Sequence, residues 1–152
     1  MLQPLLNVPH HPQIDETGCL LACIEMVTDF IGRRQSQQDL ARLLGLSIGG
    51  VPGSRVKRLE PLGFQVTYNI DATFDDLVEL LQRGIPVIVL FRTVALEYWQ
   101  LETDHAAVVI GIDNTTIYLN DPAFERASQT CSRTAFEFAW SELDNRFAVI
   151  TL

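Results

Sequence analysis

The apolar residues of this chain change period near Gly84, and that change restricts its fold more than any other feature. Before Gly84, apolar positions recur mostly every three or four residues. Leu20, Cys23, Ile24, Val27 and Ile31 share one face of a helix over Cys19 to Ile31, with Gly32 as its stop. Ser36 with Asp39 marks the start of a second helix ending near Leu44 and Gly45. A glycine-rich stretch, Leu46 to Gly53, leads to a third helix from Ser54 to Leu62, closed by Gly63. Thr73 with Asp76 repeats the capping signature, and Phe74, Leu77, Val78 and Leu81 give the fourth helix its apolar face. Only Phe64 to Ile70 alternates as an early strand. After Gly84 the pattern turns to strands at Pro86 to Phe91, Ala106 to Ile112 and Thr116 to Asn120, the last two joined by Asp113 and Asn114. A late helix, Arg133 to Leu143, and a closing strand, Phe147 to Leu152, complete the chain. Helices first and strands later predict an α+β domain, with N-terminal helices packed on a mainly antiparallel sheet.

No repeat, linker or low-complexity tract divides the chain, so residues 1–152 read as one domain, long enough to bury a core. The net charge of −8 sets one lysine, Lys57, and ten arginines against nineteen acids. Such a surface repels phosphate backbones and anionic headgroups, which argues against nucleic acid and membrane as partners. A neutral or basic peptide suits it better. Met1 to Pro12 has no basic start followed by an apolar core, so no secretory signal is read. The longest apolar run, Ile85 to Phe91, is strand-sized and excludes membrane insertion through a helix. Three cysteines, Cys19, Cys23 and Cys131, with no such signal, point to reduced thiols and a cytoplasmic location.

Four residues carry candidate chemistry. Cys19 follows the turn-forming Asp15-Glu-Thr-Gly18 and stands where the first helix begins. A helix N-terminus offers unpaired N–H groups and a partial positive charge of roughly half an electron. Both favour thiolate over thiol, the form a cysteine nucleophile needs. Cys23, one turn deeper on the same face, reads as core. His105 opens the strand run His105-Ala-Ala-Val-Val-Ile-Gly-Ile, where an imidazole could take a proton from a thiol and pass it to a leaving amine. Asp121 ends the next strand, and a short antiparallel hairpin brings that end near the start of the first. Its carboxylate could then hold the His105 ring by the other nitrogen. Asn120 is the alternative, although strand alternation turns its side chain to the opposite face; Asp104 points away from His105 by the same rule. Gln13, six residues before Cys19, could donate to a developing oxyanion together with the Cys19 N–H, or be a plain loop residue.

The segment Gln13-Ile-Asp-Glu-Thr-Gly-Cys19-Leu-Leu-Ala-Cys23-Ile-Glu-Met26 resembles the nucleophile motif of the bacteriocin-processing peptidases. These papain-like cysteine peptidases cut after a double glycine at the end of a leader peptide. Gly84-Ile-Pro86-Val-Ile-Val, His105-Ala-Ala-Val-Val-Ile-Gly and Ile117-Tyr-Leu-Asn-Asp121-Pro122 resemble the family's later motifs, in the same order. The resemblance spans about Val8 to Leu152. It implies a papain-like fold with Cys19 as nucleophile, His105 as general base, Asp121 as orienting residue and Gln13 as oxyanion donor. It also implies a peptide or protein substrate such as a leader, small residues before the scissile bond, and no cofactor.

Three features depart from the family pattern. Leu20 follows Cys19 where the family usually has glycine, and its side chain would narrow the approach. The chain has neither membrane spans nor a phosphate-binding Gly-rich Lys motif, so it would act alone or beside a separate transporter. The loop Ala95 to Asp104 carries Tyr98 and Trp99, which would line a peptide groove, form a lid or simply pack. Rival functions are a degenerate peptidase that binds leaders without cutting, and a papain-like acyltransferase in which an amine replaces water. A metal site from His10, His11, Asp15, Cys19 and Cys23 fits no usual zinc spacing.

Overall fold

Helix positions follow the local capping chemistry. Ser36 accepts the Asp39 N–H and starts α2 (Gln37–Leu44), which closes at Gly45 in the left-handed region. Thr73 and Asp76 form a reciprocal capping box at the head of α3 (Phe74–Gln82). Ser132 accepts the Ala135 N–H ahead of α4 (Arg133–Ser141). The first helix, α1 (Cys19–Phe30), is the exception, for no side chain caps it. These elements belong to a computed structural model that describes residues 5–152. Residues 1–4, part of the predicted 1–152 domain and of the stretch read for a secretory signal, lie outside the described residues.

The strands are β1 (Gln65–Asn69), β2 (Val87–Arg92), β3 (Asp104–Ile112), β4 (Thr116–Asn120), β5 (Gln129–Ser132) and β6 (Arg146–Thr151). They form one six-stranded sheet in the order β1-β6-β2-β3-β4-β5, with every neighbouring pair antiparallel. Helices cover both faces. On one, Leu21, Ile24, Leu40 and Leu44, with Leu59, pack against Ile88, Val108 and Ala148. On the other, Leu77 and Leu81 of α3 and Phe136 and Trp140 of α4 pack against Val87, Val89 and Phe91. Double coverage explains why β2 and β3 read as unbroken apolar runs, without the alternation of a half-exposed strand.

Two elements differ from the sequence reading. The third helix, Gly53–Leu62, is a 3₁₀ helix rather than an α-helix. Pro61 lacks the N–H that an α-helix would use and Gly53 favours other conformations, so the tighter winding prevails. Strand β5 was not visible in the pattern because it is four residues long with Cys131 alone buried. It forms because the free edge of β4 offers a ladder to complete.

The opening segment positions the site. It runs extended beside β3 and β4, tied by Leu6 N–H to Ile110 O at 2.9 Å and by Gln13 N–H to Pro122 O at 2.8 Å. Between these, the Asn120 side chain donates to Val8 O at 3.0 Å and accepts from Ser128 N–H at 3.1 Å. A Cβ at Gly111 would strike the far end of the Leu5 side chain, so glycine lets the segment lie this close with Leu5 in its present rotamer. The segment thus delivers the start of α1 to the end of the β3–β4 hairpin. Asn120 is 1 % exposed, and replacing it with alanine leaves a carbonyl and an N–H without their partner. Asn120→Ala is predicted to cost about 2–3 kcal/mol, read as a lower midpoint in thermal or urea unfolding; an unchanged midpoint would show that the strap is not tied there.

Candidate active site

The turn before α1 is built by Asp15. Its Oδ1 accepts the Thr17 N–H at 2.9 Å and the Thr17 hydroxyl at 2.8 Å, and its carbonyl accepts the Gly18 N–H at 2.9 Å. The two Thr17 bonds hold the Asp15 carboxyl below its usual range. Cys19 is then the first residue of α1, at a helix start that no side chain caps. The first-turn N–H groups have no intrahelical partner and leave a partial positive charge at the end of the helix that carries Cys19. All three cysteines are free. Cys19 is half-buried, whereas Cys23 and Cys131 are buried. Burial drives the Cys23 thiol well above its ordinary pKa, and burial with the Glu97 charge pushes Cys131 up to about 12. Leu20 is 3 % exposed and takes its bulk into the core with Leu21 and Ile24, so the crowding anticipated from it is not what the structure contains.

His105 pairs across the sheet with Phe91, and the two rings meet edge to face at 5.8 Å between centroids. The Trp99 ring closes on the imidazole from the side, at 4.8 Å. One ring nitrogen, Nε2, lies 2.6 Å from Asp121 Oδ1, and the Cys19 side chain is the second polar group acting on the ring. Burial pulls the imidazole toward its neutral form. The hydrogen bonds to Asp121 and Cys19, with the charges of both, outweigh it and raise the His105 pKa to about 9.

Asp121 has no exposed side-chain surface. Its Oδ1 accepts from His105 and from the Ala123 N–H at 2.9 Å; its Oδ2 accepts from the Tyr98 hydroxyl at 2.9 Å and the Trp99 indole N–H at 3.0 Å. Burial alone would lift the carboxyl. The bond to His105 and its charge, then the Ala123 and Trp99 N–H groups, hold it below the usual carboxylate range. Burial, followed by the Asp121 charge, pushes the Tyr98 hydroxyl far above its ordinary value.

The structure therefore brings Cys19, His105 and Asp121 together from three elements. Asn120 faces the opening segment instead, and Asp104 pairs with Arg92 at 2.7 Å at the surface. Gln13 sits beside the turn, but its amide donates to Asp15 O at 3.1 Å and Glu16 O at 2.9 Å, while its own oxygen is buried and unpartnered. Its donors face the turn rather than the space above Cys19. Tyr98 and Trp99, for which the sequence left groove, lid and packing open, turn their polar atoms inward onto Asp121. An open groove beside the turn is instead lined by residues 14–17 and 46–48. The start of the glycine-rich stretch Leu46 to Gly53 thus borders it, and Ile14 and Ile48 stand 77 % and 97 % exposed there. Among the described residues, no group of three or more His, Cys, Asp or Glu side chains could hold a metal ion, and no helix is long and apolar enough to cross a membrane.

Comparison with known proteins gives the same fold. A C39-like peptidase from Bacillus anthracis superposes with a TM-score of 0.81 at 16 % identity, covering 99 % of this chain and 98 % of the other. The peptidase domain of Streptococcus ComA, a bifunctional ABC transporter of a quorum-sensing pathway, gives 0.75 at 23 % identity, covering 95 % and 98 %. A double-glycine-motif protease from an AMS/PCAT transporter, in complex with its leader peptide, gives 0.72 at 17 % identity, covering 97 % and 94 %. No curated protein matches at the sequence level. These likenesses establish a papain-like C39 peptidase fold. The sequence profile of the Peptidase_C39 like family matches residues 5–147, nearly the whole length, and the chain belongs to that family.

Proposed function

We propose that this chain is a cysteine peptidase that hydrolyses a peptide bond after small residues, at the end of a double-glycine leader. The observation that carries the reading is the His105–Asp121 pair, 2.6 Å apart with Asp121 fully buried, with the half-buried Cys19 near enough to act on the imidazole. Family membership and the leader-bound neighbour support the substrate class. The ComA and AMS/PCAT neighbours belong to transporters, and an ABC transporter is the partner this reading implies.

His105 takes the Cys19 proton, and the sulfur attacks the scissile carbonyl carbon to form a C–S bond. The developing oxyanion is met by the Cys19 backbone N–H and by the Gln13 amide, once that amide leaves the Asp15 and Glu16 carbonyls. His105 then protonates the leaving nitrogen as the C–N bond breaks. Water, deprotonated by His105, attacks the thioester, the C–S bond breaks, and the acid leaves with the thiol restored. Asp121 keeps the ring in one orientation and stabilises its charged form.

Incubating the protein with synthetic peptides containing an internal Gly-Gly, followed by mass spectrometry, tests the reading. Wild type is expected to cut after the second glycine. Cys19→Ala and His105→Ala are expected to lose on the order of 10⁴-fold or more in kcat/KM. Peptides that bind but emerge uncut would replace the peptidase with a leader-binding domain.

The His105 environment sets a pH dependence. The protonated ring that serves the leaving amine is present below about pH 9, so cleavage should fall as pH rises through that value. Because the folded pKa is raised above the unfolded one, about 6.5, the ring's contribution to stability is complete below that point and is lost as pH rises to about 9. Unfolding midpoints measured across this window should decline in wild type more than in His105→Ala. Parallel curves would contradict the assignment of the raised pKa to His105.

A further inference from the structure

Asp121 offers four acceptor positions on a side chain with no exposed surface, and four protein donors fill them. Two come from its own hairpin region, His105 and the Ala123 N–H. The other two, the Tyr98 hydroxyl and the Trp99 indole N–H, come from the loop between β2 and β3 and converge on the same oxygen, Oδ2. That loop is itself pinned. Thr93 N–H donates to Thr103 O and Thr103 N–H to the Thr93 hydroxyl, both at 2.9 Å, and the Thr93 hydroxyl donates to Leu101 O at 2.5 Å. Phe124 packs edge-on against both rings, 5.4 Å from Tyr98 and 5.3 Å from Trp99. Trp99 also lies edge-on to the imidazole.

We infer that Tyr98 and Trp99 are positioning residues, a two-donor clasp that fixes the Asp121 carboxylate through Oδ2 so that Oδ1 stays on His105. This deepens the peptidase reading above and rests on it for its catalytic meaning. A carboxylate held only through Oδ1 could turn about its Cβ–Cγ bond, and each turn would take the acceptor off the imidazole. Buried and short of donors, it would also lean toward its neutral form. Neither residue needs to touch substrate; Tyr98 acts through Asp121 alone, and Trp99 acts through Asp121 and through its edge contact with the imidazole.

The titratable groups around this cluster come from every element packed on it. His105 and Tyr98 contact Asp121, Cys19 on α1 faces His105, Cys23 lies deeper on α1, Cys131 on β5 faces Tyr98, Glu97 precedes Tyr98 in the loop and acts on Cys131, and His10 of the opening segment meets Phe124 O at 2.7 Å. Phe91 on β2 is uncharged. A change in His105 titration after removal of the Tyr98 donor would therefore be transmitted through Asp121, whereas Trp99 also touches the imidazole itself.

The test uses the intact chain and needs no substrate. The His105 ring is titrated by NMR in wild type, Tyr98→Phe, Trp99→Phe and the double variant, alongside thermal unfolding. Both substitutions keep an aromatic ring and remove one donor. Phe124→Leu, which disturbs the same rings without removing a donor, is the packing control. The His105 midpoint is expected to move by on the order of half to one pH unit for each donor removed. Phe124→Leu is expected to lower the unfolding temperature with the midpoint unmoved. Midpoints equal to wild type in both single variants, or moved as far in Phe124→Leu, would overturn the inference; if Trp99→Phe does not fold, Tyr98→Phe alone decides. A protein that shows these shifts but cuts no Gly-Gly peptide would retain the clasp and lose the peptidase assignment.

Discussion

A fully buried carboxylate is tolerable only where donors surround it, and the site of this protein is arranged around that requirement at Asp121. Its partners come from the start of β3, the turn after β4 and the loop after β2. Holding the carboxylate ionised in turn holds His105 protonated against burial, since the imidazole alone would be driven neutral. The charged pair is thus sustained by neutral donors and by the sheet that sets their spacing. Replacing Asp121 alone would leave a buried imidazolium without its counter-charge, a larger loss than any surface ion pair of this chain represents.

The second constraint is the delivery of α1. A helix N-terminus can face a hairpin end only if the chain before it is held down, and here an extended strap does so through Asn120, Ile110 and Pro122. The strap also explains why α1 begins without a side-chain cap. Gly18 stands at its N-cap, and the turn is braced by Asp15 and Gln13 instead. An uncapped start lowers helix stability slightly and leaves the first-turn N–H groups without a side-chain partner at the end that carries Cys19.

Most of this was legible in the sequence where the physics is local. Ser36 and Thr73 announce their helices through contacts three residues away, and β3 and β4 announce themselves as strands joined by a tight turn. That hairpin alone sufficed to pair His105 with Asp121, sixteen residues apart. What escaped was non-local or too short for a period. Strand β5 exists because β4 presents an edge, and Pro61 decides the winding of a segment whose apolar spacing looks α-helical. Tyr98 and Trp99 showed as aromatic side chains with no direction, because their partner lies more than twenty residues on. The Gln13 amide had the right spacing, yet the carbonyls of Asp15 and Glu16 compete for its protons.

The most direct measurement is intact mass after brief exposure to a limiting thiol alkylator near neutral pH, on wild type, Cys19→Ala, His105→Ala and Cys23→Ala. A coupled thiolate–imidazolium pair predicts one fast adduct that needs Cys19, persists in Cys23→Ala and slows markedly in His105→Ala. Cys19 labelling no faster than a free thiol, or indifferent to His105, would contradict the pairing on which the site is built.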